Sequence, residues 1–551
     1  MILHGRETNQ SALRAFCVFG ALLIAFLGLG TLFAAYLVSW DAEWGYVTLG
    51  RLVLEGRIGL FQDDMIGERL PLPYYFIGFS QLAGPSLLRA RLASLVAGAV
   101  AVILTFRAGT AIGGHRCGLL AAAFLATHGV VVGYFAAASY FALCSALVAG
   151  GIAALTTLPR PWASLLCMAC FVGVAFARAN LAVMAPFVLG YLMWKAETRA
   201  ERLGLLAVCI GPPLLFFAWS TDHWKILAYV PFLDRVVAPL GYRSGFALGV
   251  ADLFPRGSIG RAVLWFCRTH FFWLLTGAML TAAWIITRFR RGAASYAGAG
   301  ARHVVFCAGL GVWTLAWQIV ILRDYPKSVS AWVPSFAPVW AIVLGWAASV
   351  LLTPRRAPAV VRAGVAAAVG LAFAVGPSLP RHAAMPLRLP SPSTVARMDM
   401  SATALRAVIP PNEQVFVLGN PLLPYLAGAK PYLRQAMHPG TFVPSADARS
   451  VSRSGVWGSR ELEWWLGHET QYAIIDRQTA HHFSTIESYR PLVARIFALL
   501  DAGFDVAATV RSGDTVTVVY RRRGIADAGA VATPGLPLVA APPQKRDAAA
   551  R

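Results

Sequence analysis

A chain of 551 residues that is 57% hydrophobic and only 13% charged is not one soluble globule, which at this length would carry charge on about a quarter of its residues. Its formal net charge of +22 would suit nucleic acid in a soluble protein, but no basic stripe with interleaved aromatics is present, so that partner is excluded and the excess is assigned to membrane-surface loops and phosphate-facing arginines. What remains is a polytopic α-helical membrane protein with room for a soluble appendage.

The first fourteen residues, MILHGRETNQSALR, are polar and basic. The apolar run from Ala15 to Val38 is longer than a signal-peptide core and lacks a cleavage site, so it reads as an uncleaved first span with Arg6 and Arg14 on the cytoplasmic side. Further spans are predicted at 87–106, 118–135, 141–158, 162–176, 181–194 and 203–219, then at 263–287, 304–322, 331–352 and 363–379. That makes about eleven, each near the length that crosses the hydrocarbon. Basic clusters recur at every second loop: Arg107 with His115 and Arg116, Arg160, then Lys195 with Arg199 and Arg202, then Arg288 to Arg302, then Arg355 to Arg362. Positive-inside topology puts those loops in the cytoplasm. The loop 39–85, the loop 220–262 and everything after the last span then face outward.

The loop 39–85 is the densest acidic stretch beside a span: Asp41, Glu43, Glu55, Asp63, Asp64 and Glu68. A carboxylate at a water–membrane boundary can take a proton from a hydroxyl or hold a divalent cation. Asp41, just beyond the first span, is the candidate base; a helix cap or rim carboxylate is the alternative. Glu43 stands two residues on and points elsewhere on a helix, toward a cation or a sugar hydroxyl. Asp63 and Asp64 form a pair in a turn, either a metal or acceptor site or a solvated turn. Any metal here is a divalent cation, Mg2+ or Mn2+. Arg69, before the Pro71-Leu72-Pro73 turn, suits bidentate contact with a phosphate, or pairs with Glu68 or Asp64. Arg89 and Arg91 open the second span, one for the headgroups and one for a cavity. In the loop 220–262, Arg243 and Arg256 lie among aromatics, as in an interfacial helix or a lid over a lipid phosphate.

The cysteines, Cys17 to Cys307, all fall in or beside apolar segments, and the Cys167–Cys170 pair reads as helix filler rather than a redox pair. The histidines show no metal-ligand spacing, and His481-His482 reads as surface. From Arg381 the composition changes. NEQVFVLGN, QYAIID and TVTVVYRRR read as strands, and PYLAG and RPLVARIFALLDAGF as helices, which predicts a small α/β domain over 381–523. The apolar patch ELEWWLG is expected to dock on the membrane half. The Ala-, Pro- and Gly-rich tail 524–551 reads as disordered.

Three stretches carry a resemblance to a known group. They are Asp41-Ala42-Glu43-Trp44-Gly45-Tyr46, continued by Leu54-Glu55-Gly56, the Arg69-to-Tyr75 turn and Leu88-Arg89-Ala90-Arg91-Leu92; then Lys327 with Ala331-Trp332-Val333-Pro334 and Pro338; then Val417-Leu418-Gly419-Asn420 with Tyr425-Leu426-Ala427-Gly428. Together they resemble the C-type (GT-C) integral-membrane glycosyltransferases, in particular the dolichyl-phosphate-mannose protein mannosyltransferases and their bacterial relatives, which include the lipid A aminoarabinose transferases. The sequence departs from that pattern in three places: Ala42 separates the two acids, Tyr134 to Tyr140 lacks the further acid many members carry, and the tyrosine that follows the lysine in the second motif is replaced by Ala331 or shifted to Trp332.

The resemblance implies an inverting enzyme of the bacterial inner membrane, its C-terminal domain in the periplasm. The donor is a polyprenyl-phosphate-linked sugar; the acceptor is a lipid A-like glycolipid, an envelope glycan or a protein. In that setting Asp41 is the catalytic base. Glu43, Arg69, Tyr74, Arg89, Lys327, Arg243 and Arg256 bind substrate, with Lys327 stabilising the leaving phosphate or anchoring at the headgroups. Glu43, Asp63 and Asp64 are the metal ligands. The rival classes are a flippase, disfavoured by the scarcity of acids inside the spans, and a non-catalytic scaffold. Arg178 is the isolated charge near a span end.

Overall fold

The computed structural model describes residues 2–39, 41–58, 71–219, 234–240, 258–291, 299–321, 332–353, 358–375, 392–436, 441–443, 456–512 and 515–524. The side chains of residues 2–12, Asp41 and Ala42 also lie outside that description, as do those of a few other helical residues.

The membrane half is a stack of helices: α1 (Ile2–Tyr36), α2 (Asp41–Leu54), α3 (Pro71–Ser80), α4 (Leu87–Gly113), α5 (His115–Thr127), α6 (Gly129–Phe135), α7 (Tyr140–Thr157) and α8 (Trp162–Ala177). It continues with α9 (Met184–Lys195), α10 (Arg199–Trp219), the single turn α11 (Asp234–Val237), α12 (Ile259–Thr269), α13 (Phe271–Arg291), α14 (Ala299–Ile321), α15 (Ala337–Leu351) and α16 (Ala359–Val375). Each predicted span is mostly helical over its described residues. By length and composition, however, only 5 helices among the described residues could cross a membrane alone, or up to 7 if each bent pair is one span. Residues 118–135 do not form one straight helix. The chain breaks at His128, and α5 and α6 meet at 72°. A second break at His270 turns α12 from α13. The α8 and α16 segments are apolar but shorter than 18 residues.

Small residues set the closest helix approaches, as expected where lipid supplies no hydrophobic drive between helices. A Cβ on Gly78 of α3 would sit 2.2 Å from the Gly50 carbonyl oxygen of α2, so these helices touch backbone to backbone. A Cβ on Gly345 of α15 would lie 2.6 Å from the Ala121 nitrogen of α5.

Beyond residue 392, α17 (Thr394–Arg406) leads into a five-stranded sheet of β1 (Gln414–Leu418), β2 (Lys430–Pro431), β3 (Tyr472–Asp476), β4 (Phe504–Ser512) and β5 (Thr515–Arg522), in the order β2-β1-β3-β5-β4. Strand β1 runs parallel to β2 and β3; β5 is antiparallel to both β3 and β4. The helices α18 (Leu422–Leu426), α19 (Ser459–Trp464), α20 (Arg477–Ser484) and α21 (Arg490–Gly503) complete the α/β unit. The three predicted strands are present. Strand β4, FDVAATVRS, was missed because its alternation is interrupted by a bulge between Val506 and Ala508.

The period of two along a strand explains how this unit is seated. Val415 and Val417 of β1, with Ile474, Val519, Ala508 and Val510, belong to the same continuous core as α17 and the membrane helices. Phe416, Leu418, Ala473 and Ile475 point the other way, into a second core with Trp457, Trp465, Tyr489 and Ile496. The sheet is thus glued to the membrane half on one face and roofed by α19 to α21 on the other. Thr394 Oγ1 donates to the Tyr36 carbonyl at the end of α1, and Thr48 Oγ1 of α2 to the Ala436 carbonyl. The expectation for ELEWWLG is corrected here: Trp465 stacks on Tyr432 within the second core, at 4.5 Å between ring centroids, while Trp464 stays exposed beside His468.

Candidate active site

One end of the bundle collects the start of α2, the starts of α4 and α7, the end of α8 and the turn before α15. A buried ion pair organises it. Arg91, in the second turn of α4, donates Nε–H to Glu43 Oε1 at 2.8 Å and Nη2–H to Oε2 at 2.7 Å. Its Nη1 donates to the carbonyls of Ala34 and Leu37, at 2.8 and 3.0 Å, which the end of α1 leaves without helical donors. The Ala138 amide donates to Glu43 Oε1 at 2.8 Å. Both residues are fully buried. Four donors of one planar guanidinium therefore tie α1, α2 and α4 together, and the carboxylate extends the tie to the turn before α7. A lysine, with one nitrogen, could not span these acceptors.

The pair corrects two expectations. Glu43 has no exposed oxygen, so in this structure its carboxylate is a fastener and not a ligand for a cation or a sugar. Of the two arginines opening the second span, Arg91 is the fastener's other half, and Arg89 donates to the carbonyls of Ala83 and Gly84, closing the turn before α4. Ser86 caps that helix by accepting from the Arg89 amide. Where the resemblance leads one to look for a further acid, Tyr134 to Tyr140, the backbone amide of Ala138 engages Glu43 instead.

Around the pair runs an aromatic wall. Tyr74 meets Tyr46 edge-on at 5.1 Å, Tyr46 meets Tyr140 at 6.0 Å, and Tyr140 lies 5.3 Å from Trp332. Tyr74 and Tyr46 are wholly buried, so Tyr74 is packing within the wall and not an open substrate contact in this structure. Arg178 closes the far end, its guanidinium 5.0 Å from the Tyr140 centroid and 4.6 Å from that of Trp332. Its place follows from local sequence: α8 ends at Ala177, and the chain turns through a short 3-10 segment, Ala179–Leu181. Asn180 in that segment exchanges side-chain and backbone hydrogen bonds with the buried Gln318 of α14. Ser145 of α7 donates to the Pro334 carbonyl and holds the turn that carries Trp332. Sequence reasoning marked Arg178 as an exception and gave it no role; its signal was an arginine at the seam of two apolar segments.

Asp41 opens α2, two residues before the fastener, and its side chain lies outside the described residues, as do Asp63, Asp64, Arg69, Arg243, Arg256 and Lys327 entirely. Among the described residues no three metal-capable side chains come together, and Glu43 is engaged by Arg91 and Ala138; Asp63 and Asp64 lie outside the described residues, and no step is routed through a metal. The eight cysteines are free thiols.

No protein-family model matches the chain, and no curated protein matches it significantly. Solved structures do. ArnT from Cupriavidus metallidurans bound to undecaprenyl phosphate is 13% identical, with a TM-score of 0.55 over 92% of this chain and 97% of that one. The oligosaccharyltransferase of Archaeoglobus fulgidus in its apo form is 11% identical, with a TM-score of 0.50 over 86% and 72%. The arabinofuranosyltransferase AftD from Mycobacteria is 15% identical, with a TM-score of 0.50 over 92% of this chain and 40% of that one. With the helical stack, the acidic helix after the first span and the fused α/β unit already placed, the chain has the fold of the GT-C integral-membrane glycosyltransferases.

Proposed function

We propose that the protein is an inverting glycosyltransferase that moves a sugar from a polyprenyl-phosphate carrier to an acceptor hydroxyl on the extracytoplasmic side of the bacterial inner membrane, the acceptor being a lipid A-like glycolipid, an envelope glycan or a protein. The observation that carries the reading is the buried Glu43–Arg91 pair: it pins the start of α2, and with it Asp41, to the ends of three other helical segments. Such rigidity is what positioning of a base requires.

In this reaction the acceptor oxygen attacks the anomeric carbon from the face opposite the phosphate. The bond from that carbon to the phosphate oxygen breaks as the new glycosidic bond forms, and the proton of the hydroxyl passes to the Asp41 carboxylate. The carrier leaves as polyprenyl phosphate. Its developing negative charge calls for fixed cations at this end of the bundle; Arg178 is the described candidate, and Lys327, Arg69, Arg243 and Arg256 are those the sequence adds. Alternating basic loops support the outward orientation of this end. Support from the fold comes from the structural likeness to proteins that include one solved with undecaprenyl phosphate.

The test is turnover of a radiolabelled polyprenyl-phosphate sugar by the purified protein in a bilayer. Release of free polyprenyl phosphate coupled to labelling of an envelope-derived acceptor supports the proposal. A carrier that crosses the bilayer with its sugar intact, or is bound and never consumed, replaces it with the flippase or the scaffold.

A further inference from the structure

The second face of the sheet carries a groove unrelated to the buried pair. It has a volume of about 530 Å³ and is lined by Arg477, Gln478, His481, His482, Thr485 and Val516. The first four are one stripe of α20 at i, i+1, i+4 and i+5, continued by its C-cap Thr485; the opposite stripe, Ala480 and Phe483, is buried in the second core. Val516 belongs to β5, and its direct cross-strand partner is Arg511 of β4. Directly opposed residues of an antiparallel pair share a face. Alternation confirms which one: Ala508 and Val510 of β4 and Val519 of β5 pack toward the membrane core, so Arg511 and Val516 turn toward α20. The exposed Arg511 therefore stands at the rim across from Arg477.

The lining offers the Arg477 guanidinium and the His481 and His482 imidazoles as donors, with no described carboxylate among its residues; the Thr485 hydroxyl donates to the His482 carbonyl. Asp476, the neighbouring acid, spends Oδ1 on the Thr479 amide as the cap of α20. Other arginines of this unit are engaged: Arg434 with Glu461, Arg495 with Glu463, Arg523 with Asp505, and Arg522 with three carbonyls. Among the described residues the Arg477 guanidinium and the His481 imidazole make no hydrogen bond or ion pair, although both face the same concavity. A merely solvated helix face would not need the concavity, or a cation beside its far wall as the strand partner of Val516.

We propose that this groove binds an anionic oxygen group, a phosphate or carboxylate, presented either by a soluble ligand or by a lipid headgroup. Arg477 offers the planar fork that matches such a group, with the two imidazoles and Arg511 around it.

Carbethoxylation of His481 and His482, followed by peptide mass spectrometry on the full-length protein in phosphatidylcholine bilayers, tests this. Millimolar inorganic phosphate is expected to slow both reactions several-fold and to leave His468 unaffected. In Arg477→Gln the phosphate concentration needed for protection rises about fivefold, the scale of an exposed charge contact. Val516→Glu, which puts a carboxylate on the far wall, abolishes protection. A second arm replaces part of the phosphatidylcholine with phosphatidylglycerol: protection without added phosphate assigns the headgroup, and protection by phosphate alone assigns a soluble ligand. Equal rates in every condition, or protection that survives both substitutions unchanged, overturn the site.

Discussion

Removing Arg91 should loosen the end of the bundle where α2 begins far more than removing any exposed arginine. Arg91→Ala leaves the Glu43 carboxylate buried with one amide donor, that of Ala138, in place of three N–H groups. It also leaves the Ala34 and Leu37 carbonyls without partners. Breaking one side of a buried pair in this way costs about 3–5 kcal/mol. The assay is hydrogen exchange at the Ala138 amide, whose bond to Glu43 reports the state of the fastener directly. If exchange proceeds through local opening, the expected acceleration is about a hundredfold to several-thousandfold, at roughly 1.4 kcal/mol per decade. Arg91→Lys should fall nearer the alanine variant than the parent, because one ammonium cannot serve two helices and a carboxylate. The cycle completed by Glu43→Gln and the Glu43→Gln/Arg91→Ala double variant should show coupling of about 2 kcal/mol or more. Additive effects, or an Ala138 amide that exchanges at the parental rate in Arg91→Ala, would refute the fastener.

Three further outcomes follow from other contacts. Gly78→Ala must part α2 from α3, since its methyl would enter the Gly50 carbonyl, and should lower the thermal midpoint in detergent by more than alanine at Gly190, which has nothing within 4 Å. Arg178→Leu should lower kcat and kcat/KM together if that guanidinium stabilises the charge developing on the leaving carrier; a raised KM with kcat unchanged would contradict this. In the α/β unit, burial pushes the Tyr425 and Tyr432 phenols up to about 12 from an ordinary value of 10. Their raised values contribute stability that is full below pH 10 and lost as pH climbs toward about 12. Phenolate absorbance should therefore rise together with unfolding in that window, and ionisation of all tyrosines near pH 10 without unfolding would contradict it.

The helices of the membrane half were legible because long apolar segments are written in composition; their number as spans was not, since only 5 to 7 of them among the described residues could cross a membrane. The kinks were not: His128 and His270 are single residues inside apolar runs, and nothing in hydropathy says that the chain bends there. The α/β unit was half legible. The buried strands β1 and β3 carry short apolar runs between turn residues, whereas the edge strand β4 hides its pattern behind a bulge and a mixed surface. For the site, the acidic stretch after the first span leads to a buried ion pair that the sequence did not anticipate. Charge alone cannot tell a catalytic carboxylate from a fastener, and Glu43 was assigned the wrong work because its partner Arg91 is 48 residues away. Arg178 stood out as an isolated charge but had no role for the same reason. Its significance lies in Tyr140 and Trp332, which come from two other parts of the chain.

The central claim rests on Asp41, and the most direct measurement compares sugar transfer by the parent with that by Asp41→Asn, both shown to fold by the Ala138 exchange rate. Loss of the base predicts transfer slowed by about 10²–10⁴-fold with donor binding retained. Transfer at the parental rate by a folded Asp41→Asn variant would contradict the account.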